Sequence, residues 1–267
     1  MIKELWTIRE EVRERKPLVL NLTNNVVTNF TANILLAAGA SPIMSEGILE
    51  AEDLIRISNV LVLNIGTLHS RQVDYFLKAG EIANKLNKPI VLDPVATGAT
   101  NYRSDITTHI LKELKLSLIR GNYGEISWFK GISGATKGVD SLASEVDLKA
   151  IKDLALQTGI MVSATGQTDY ISDGERVFYN KTGHEMLQLI TGTGCALSSL
   201  MGAFISVSED STFGALSALA FYGACAEKAS RVSNGPGSFS INFIDAIYNL
   251  KQEEFTEITA GKVGISK

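Results

Sequence analysis

The sequence predicts an α/β fold in which a mostly parallel sheet carries helices on both faces. Short runs of apolar residues alternate along the chain with longer amphipathic stretches of helical periodicity. Apolar runs of this length are typical of strands buried on both faces of a parallel sheet, and the intervening helices supply the crossovers. The chain has 267 residues, of which 45% are hydrophobic and 20% charged. It is therefore able to bury a sizeable core, and disordered and fibrous classes are excluded.

Each predicted element follows from its local pattern. The four predicted buried strands lie at residues 17–21, 60–65, 89–93 and 160–164. The predicted helices lie at about 26–38, 49–58, 70–87, 104–115 and 147–158, and the first sixteen residues also have helical spacing. Residues 169–172 and 176–179 flank an Asp173-Gly174 pair, which predicts a hairpin at the sheet edge.

The last third of the chain differs from the rest. From Thr191 onward it is rich in Gly, Ala and Ser at helical spacing, without the pattern of a strand. We interpret residues 199–229 as tightly packed core helices. No linker, charge block or internal repeat divides the sequence, so we predict one domain over residues 1–267.

Charge and composition exclude several function classes. The net charge is −4, which argues against a nucleic-acid partner. The apolar stretches fall short of the roughly 18 residues that a membrane span requires, and the first residues do not resemble a targeting segment. Two cysteines, Cys195 and Cys225, cannot form a disulfide framework. We therefore expect a cytoplasmic protein with neither a membrane nor a nucleic acid as partner.

Polar residues follow the predicted strands. In open α/β sheets, ligands bind outside the carboxyl ends of the strands. Taken singly, each polar strand end is also explained as a turn or a helix cap. The four polar ends are residues 21–25 (NLTNN), 64–67 (NIGT), 93–98 (DPVATG) and 165–166 (TG). Together on one edge, they predict a binding site.

A glycine-rich turn opens a helix at residues 191–198, which read TGTGCALS. Such a turn leaves backbone N–H groups unpaired at the positive end of the helix dipole, which favours binding of anions and of phosphate above all. The segment is neither a Walker A motif nor a complete GxGxxG motif, because Leu197 takes the last glycine position. Cys195 falls in the first helical turn, where the dipole predicts a lowered pKa. The alternative is a packing cysteine, which is our interpretation of Cys225.

Residues 120–125 (RGNYGE) allow two interpretations. Asn122 and Glu125 have the spacing of a capping box at the start of a helix. Alternatively, Glu125 is a Mg²⁺ ligand and Arg120 a phosphate clamp, with Asp93 near the same cation. The three histidines lack metal-ligand spacing, which disfavours zinc hydrolysis and favours phosphoryl transfer.

These segments together resemble the ribokinase-like superfamily, and within it the hydroxyethylthiazole kinase family. The superfamily features are Asn-x-x-Glu after an Arg-Gly step, a Thr-Gly strand end and a helix-opening Gly-x-Gly. Cys195 narrows the resemblance, because most members of the superfamily have aspartate there. Four further segments agree: residues 21–33 (NLTNNVVTNFTAN), 40–44 (ASPIM), 63–67 (LNIGT) and 235–239 (GPGSF). The resemblance covers about residues 17 to 250.

The resemblance implies a three-layer sandwich and ATP- and Mg²⁺-dependent phosphorylation of 4-methyl-5-(2-hydroxyethyl)thiazole, a salvage step towards thiamine. It also implies a homotrimer whose thiazole pockets lie between subunits and are lined partly by residues 25–27. The implied substrate-binding residues are Met44, Gly192, Asn25 and Val27. The implied ATP-binding residues are Arg120, Thr165 and Gly194, with Asp93 and Glu125 near Mg²⁺ and Cys195 in the place of the catalytic aspartate.

Three rival functions remain at this stage. A sugar or hydroxymethylpyrimidine kinase, or a nucleotide-dependent dehydratase of hydrated nicotinamide cofactors, would carry aspartate at position 195. A nucleotide-sensing protein would keep Arg120 and the anion loop but would not need the two carboxylates. The presence of Cys195, Asp93 and Glu125 together therefore favours the thiazole kinase.

Overall fold

The computed structural model describes residues 1–129 and 147–266, and a nine-stranded sheet runs through them. The strands are β1 (Leu18–Leu22), β2 (Ser41–Met44), β3 (Val60–Asn64), β4 (Ile90–Asp93), β5 (Leu118–Asn122), β6 (Met161–Thr165), β7 (Asp169–Ser172), β8 (Val177–Asn180) and β9 (Val263–Ile265). Their spatial order is β2-β1-β3-β4-β5-β6-β7-β8-β9. The first six pair in parallel and the last three are added antiparallel. The predicted α/β class is confirmed.

Helices cover both faces of this sheet. They are α1 (Ile2–Arg15), α2 (Thr28–Ala38), α3 (Ala51–Ile57), α4 (Ser70–Lys85), α5 (Asn101–Glu113), α6 (Tyr123–Trp128), α7 (Leu148–Thr158), α8 (Thr193–Ile205), α9 (Ser211–Ser230), α10 (Pro236–Asn249) and α11 (Gln252–Thr259). Two 3₁₀ turns lie at Ile48–Glu50 and Glu185–Leu189. None of these helices is long and apolar enough to cross a membrane.

Two hydrophobic cores lie on opposite faces of the sheet. Val60 and Val62 of β3 face the core that contains α1, α2 and α8–α11, whereas Leu61 and Leu63 face the core of α3–α7. This alternation is the two-residue period of a strand, and it explains why residues 60–63 are all apolar. The result is a three-layer sandwich.

The predicted core helices of the last third are confirmed. α8 and α9 are almost wholly buried, and α8 packs directly on the central strands. A Cβ atom built on Gly202 would lie 3.2 Å from Val62 Cγ2, 3.3 Å from Val60 and 3.5 Å from Val91. The absence of a side chain at Gly202 therefore sets how closely α8 approaches the sheet.

Three strands were not predicted: β5 in the middle of the sheet and the edge strands β2 and β9. The sequence offers no strand pattern after Thr191, yet β9 pairs with β8, so that expectation is wrong. β9 has only three residues, and its pairing with β8 rather than its own pattern defines it as a strand. β2 contains Pro42, which strand patterns exclude except at a sheet edge, and β2 is an edge strand here. The hairpin of β7 and β8 is confirmed, and Gly174 in its turn has a left-handed φ of 93°.

Candidate active site

The polar strand ends meet at one edge of the sheet, as predicted. The register pairs Asn64 with Asp93 and Asn122 with Thr165, so the ends of β3 to β6 lie side by side. Since parallel strands point their carboxyl ends to the same edge, the loops that follow them surround one region. The anion loop at the start of α8 borders that region through Ser198, whose Oγ donates to Asp93 Oδ2 over 2.9 Å.

The predicted anion loop begins α8 at Thr193. Gly192 precedes the helix with a φ of 95°, a conformation that favours glycine. Thr193 Oγ1 donates to the Leu187 carbonyl over 2.8 Å, and the Tyr222 hydroxyl donates to the Thr193 carbonyl over 2.8 Å. The loop is thus held from two sides, and the first N–H groups of α8 are the ones that lack intrahelical partners. This geometry suits an anion.

Arg120 lies directly beneath this loop. Its Nη2 donates to Thr165 Oγ1 over 2.5 Å, and a Cβ on Gly194 would lie 2.9 Å from its Nη1. Arg120 is 9% exposed, and its Nε has no hydrogen-bond partner. The three residues predicted to bind ATP are therefore neighbours. A buried guanidinium with a spare donor is suited to a phosphate group.

Asp93 is held by two donors at the end of β4. Asn64 Nδ2 donates to Asp93 Oδ2 over 2.8 Å, and the Ser198 hydroxyl donates to the same oxygen. Burial raises the pKa of Asp93 to about 6, although the charge of Arg120 opposes this. From the sequence, Asn64 was predicted only as a polar strand end, and no role was predicted for Ser198. The pairing of Asn64 with Asp93 across adjacent strand ends was the signal that could have linked them.

Glu125 forms the capping box that its spacing predicts. Its Oε2 accepts from the Asn122 N–H over 2.8 Å, while Asn122 Oδ1 accepts from the Glu125 N–H over 2.9 Å. Its Oε1 accepts from the Ala96 N–H over 2.8 Å. Ala96 has a left-handed φ of 58°, so this bond braces a strained residue in the loop after β4. The capping interpretation is thus confirmed, whereas a metal-binding role of Glu125 stays a prediction.

Cys195 lies in the first turn of α8 and is partly exposed. Asn24 Nδ2 donates to its sulfur over 3.6 Å. Burial, with the charge of Asp93 as a second cause, raises the pKa of the thiol to about 11, and hydrogen bonds from Asn64 and Asn24 offset this in part. The expected lowering of the pKa by the helix dipole is therefore wrong, because desolvation of the thiolate is the larger effect.

The predicted substrate residues lie on the same side of the sheet. A cavity of about 200 Å³ is lined by Asn25, Ser45 and Thr67, among others. Met44 ends β2, one residue before Ser45. Val27 is 3% exposed and packs on Gly192 of its own chain, where a Cβ would come within 2.9 Å of Val27 Cγ1. Asn25 thus lines this cavity and Met44 adjoins the lining residue Ser45 in sequence, while Val27 supports the anion loop.

Comparison with known proteins agrees with this geometry. The model of the hydroxyethylthiazole kinase family matches residues 9–253. The chain belongs to this family. It is 57% identical to a hydroxyethylthiazole kinase of Carboxydothermus hydrogenoformans over 263 residues, which are 98% of each chain.

Solved structures support the same family and fold. The hydroxyethylthiazole kinase of Pyrococcus horikoshii OT3 superimposes with a TM-score of 0.90 and 41% identity, covering 99% of this chain and 100% of that one. A ribokinase-like superfamily protein from Enterococcus faecalis V583 has a TM-score of 0.66 at 11% identity, covering 88% and 87%. The fold is therefore ribokinase-like, and the protein is a kinase of the hydroxyethylthiazole family.

Asp93 and Glu125 are the carboxylates of the site that could bind a cation. Within residues 1–129 and 147–266, no group of three or more His, Cys, Asp or Glu side chains is placed to hold a metal. The two hydrogen bonds to Asp93 described above both end on Oδ2, and Oδ1 takes part in neither. Mg²⁺ commonly binds one or two carboxylates and takes its other ligands from water and phosphate oxygens. Asp93 and Glu125 fit Mg²⁺ in that form.

Proposed function

We propose that the site at the start of α8 transfers the terminal phosphoryl group of ATP to the hydroxyl of 4-methyl-5-(2-hydroxyethyl)thiazole. The product is the thiazole phosphate of thiamine salvage. The observation that carries the assignment is Cys195 in the first turn of α8, beside the anion loop, in a chain of the hydroxyethylthiazole kinase family. Aspartate at that position would have favoured the rival kinases and the dehydratase.

Arg120, Thr165 and Gly194 bind the ATP phosphates in this proposal. Phosphoryl transfer passes through a loose transition state, so positioning and charge neutralisation supply most of the catalysis. The first N–H groups of α8 and the guanidinium beneath them are fixed before substrate binds. They stabilise the charge on the transferred group without further rearrangement.

The thiazole is held by Met44, Gly192, Asn25 and Val27. Support comes from the cavity beside β1 to β3, which opens next to Asn25 and Ser45. A ring in that cavity directs its hydroxyethyl arm towards the anion loop. Cys195 then aligns the hydroxyl with the phosphate. With a thiol pKa of about 11, alignment contributes more than advance ionisation, and the hydroxyl proton leaves late.

Mg²⁺ is held by Asp93 and Glu125, and it supplies neutralisation of phosphate charge when bound. The test is turnover of Glu125→Gln against Mg²⁺ concentration. The matched control is Asn122→Ala, which removes the other half of the same capping box without removing a carboxylate. We expect both variants to lose stability, and only Glu125→Gln to lose turnover strongly. Equal turnover of the two at low Mg²⁺ would leave Glu125 with a capping role alone.

We also propose a homotrimer with active sites between subunits. Several large apolar side chains on segments that pack around α10 are more than half exposed: Val26 (67%), Leu189 (65%), Val232 (69%) and Ile241 (66%). Val26 lies between Asn25 at the cavity and Val27 at the anion loop. Exposed apolar side chains on neighbouring segments are of the kind that a protein interface covers. A sedimentation mass equal to one chain of 28.8 kDa, with full activity, would contradict the trimer.

Two further expectations belong to this proposal. We propose that the chain forms one domain over residues 1–267, since one sheet joins elements from β1 at residue 18 to β9 at residue 265. We also propose a cytoplasmic location, which fits dependence on ATP and two free cysteines.

The experiment for the reaction itself is an ADP-release assay with three alcohols. We expect turnover with 4-methyl-5-(2-hydroxyethyl)thiazole and little with hydroxymethylpyrimidine or ribose. A preference for either of the other alcohols would assign the site to a related kinase. ATP binding without ADP release in all three cases would indicate a sensor.

A further inference from the structure

A chain of buried hydrogen bonds links Cys195 to Asp93. Asn24 Nδ2 donates both to Cys195 Sγ over 3.6 Å and to Asn64 Oδ1 over 2.9 Å. Asn64 Nδ2 in turn donates to Asp93 Oδ2 over 2.8 Å. Asn24 is 4% exposed, and Asn64 and Asp93 are each 1% exposed. The three side chains that lead to the sulfur are therefore almost shielded from water.

The direction of these hydrogen bonds is determined by a backbone donor. Asn64 turns its NH₂ group towards Asp93 Oδ2 and its Oδ1 away from it. The Gly66 N–H independently donates to Asn64 Oδ1 over 3.0 Å, which requires the same orientation of the amide. Asn64 Oδ1 is therefore an acceptor, and Asn24 must present its NH₂ group to it. One N–H of Asn24 then faces the sulfur of Cys195.

Space for Asn24 is provided by a glycine. A Cβ atom built on Gly66 would lie 2.4 Å from Asn24 Nδ2 and 2.7 Å from its Cγ. Any larger residue at position 66 would force Asn24 out of its place. The backbone of the same loop thus both orients Asn64 and makes room for Asn24.

We infer that Asn24 and Asn64 are positioning residues that present an N–H donor to the sulfur of Cys195. The inference rests on the proposed role of Cys195 in aligning the acceptor hydroxyl. A sulfur that receives a hydrogen bond is held in one orientation, with its own S–H directed elsewhere. The sulfur fixed in this way is placed to accept a hydrogen bond from the acceptor hydroxyl and so to align it with the phosphate.

The test is a double-mutant cycle. Asn24→Ala is measured in the natural chain and in Cys195→Ala, with kcat and the KM values of both substrates. Because Asn24 acts through Cys195, we expect kcat to fall about tenfold in the natural chain, with both KM values changed less than twofold. In Cys195→Ala, the same substitution should change kcat less than twofold. Equal losses in the two backgrounds would overturn the inference.

Three further variants distinguish the hydrogen bond that Asn24 donates from the packing of its side chain. Asn24→Asp keeps the shape but cannot donate when ionised, so it should lose at least as much kcat as Asn24→Ala. Gly66→Ala should reproduce the loss by displacing Asn24. Asn180→Ala is the control, since Asn180 is equally buried but bonds to Asp169 and Thr182 in the β7–β8 hairpin. Its effect on kcat should be the same in both backgrounds.

The outcomes distinguish this inference from the proposed function. Full activity of Asn24→Asp would show that the donor is dispensable and would overturn the inference while leaving the reaction in place. Full activity of Cys195→Ala would remove the role of Cys195 and the inference with it. Absence of ADP release by the natural chain with the thiazole alcohol would instead overturn the proposed function.

Discussion

The two cysteines lie in helices of similar composition but in opposite settings. Cys225 lies in the middle of α9 and is fully buried, and its thiol donates to the Ala246 carbonyl over 3.5 Å. Cys195 lies in the first turn of α8, and its sulfur accepts from Asn24. Burial raises the pKa of both thiols.

A raised thiol pKa therefore does not distinguish a packing cysteine from a site cysteine in this molecule. The direction of the hydrogen bond does. A sulfur that donates to a carbonyl directs its proton into the core, whereas a sulfur that accepts from an amide is held in one orientation at the site.

The largest effect on kcat is expected at Asp93, where the series of hydrogen bonds to Cys195 begins. Asp93→Asn keeps an oxygen for the donors Asn64 and Ser198 but removes the charge. We expect kcat to fall on the order of 10³-fold, or several kcal/mol, since neutralisation of the phosphate charge weakens. Turnover against Mg²⁺ concentration measures this, with a melting curve as the control. Turnover equal to that of the natural chain at low Mg²⁺ would remove Asp93 from the site.

The same substitution isolates the pH dependence of Asp93. Its folded-state pKa is raised from 3.8 to about 6, so its protonated form stabilises the fold. That contribution is complete below about pH 4 and is lost as the pH rises through about 6. The stability of the natural chain relative to Asp93→Asn should therefore fall by about 3 kcal/mol over this window, at 1.36 kcal/mol per pKa unit.

Denaturant unfolding of both proteins at pH 4, 5, 6 and 7 measures the difference. Asp169 has a pKa raised to about 6 as well, but it is present in both proteins and cancels. A difference that stays constant across the window would mean that Asp93 is not desolvated in the folded protein.

A smaller loss is expected at Cys195 itself. Cys195→Ala should lower kcat about 10²-fold with little change in substrate binding, since a loose transition state reduces the need for a base. Cys195→Asp should retain more activity than Cys195→Ala, because a carboxylate accepts from Asn24 in the same place. Steady-state kinetics and melting curves of both variants test this. An active Ala variant beside an unfolded Asp variant would indicate a packing cysteine.

The smallest effect is expected at Cys225. Cys225→Ala removes a buried sulfur and should lower the free energy of unfolding by about 1 kcal/mol through the cavity that it leaves. Its kcat should match that of the natural chain. The comparison between the two cysteines fails if Cys225→Ala lowers kcat as much as Cys195→Ala does.

Much of the fold was predictable from local pattern. Four of the parallel strands coincide with predicted apolar runs, and the anion loop has glycine where α8 begins. β5 was not predicted, because Arg120, Gly121 and Asn122 interrupt its apolar pattern. β2 and β9 were missed because edge strands are defined by pairing, and their own sequences carry little of the pattern.

The site was predictable only in part. The resemblance named Arg120, Thr165 and Gly194, and the structure brings them together. Hydrogen-bond partners are decided by three-dimensional contact. The hydrogen bonds through Asn24 and Asn64 could therefore not be predicted from the sequence. The pKa of Cys195 was mispredicted for a related reason, since the sequence shows the helix start but not the burial around it.

Because Gly202 packs closely on the sheet, a larger residue there would move the first turn of α8. Cys195 lies seven residues before Gly202, or about 10 Å along the helix axis at 1.5 Å per residue. A side chain at position 202 would push the helix away from the valines of the sheet and tilt it. A tilt of only about 5° over this distance of about 10 Å moves the first turn by about 1 Å. A misplacement of this size lowers reaction rates about 10²-fold. The precision of the catalytic end of α8 thus depends on a residue two helical turns away that touches neither ligand nor loop.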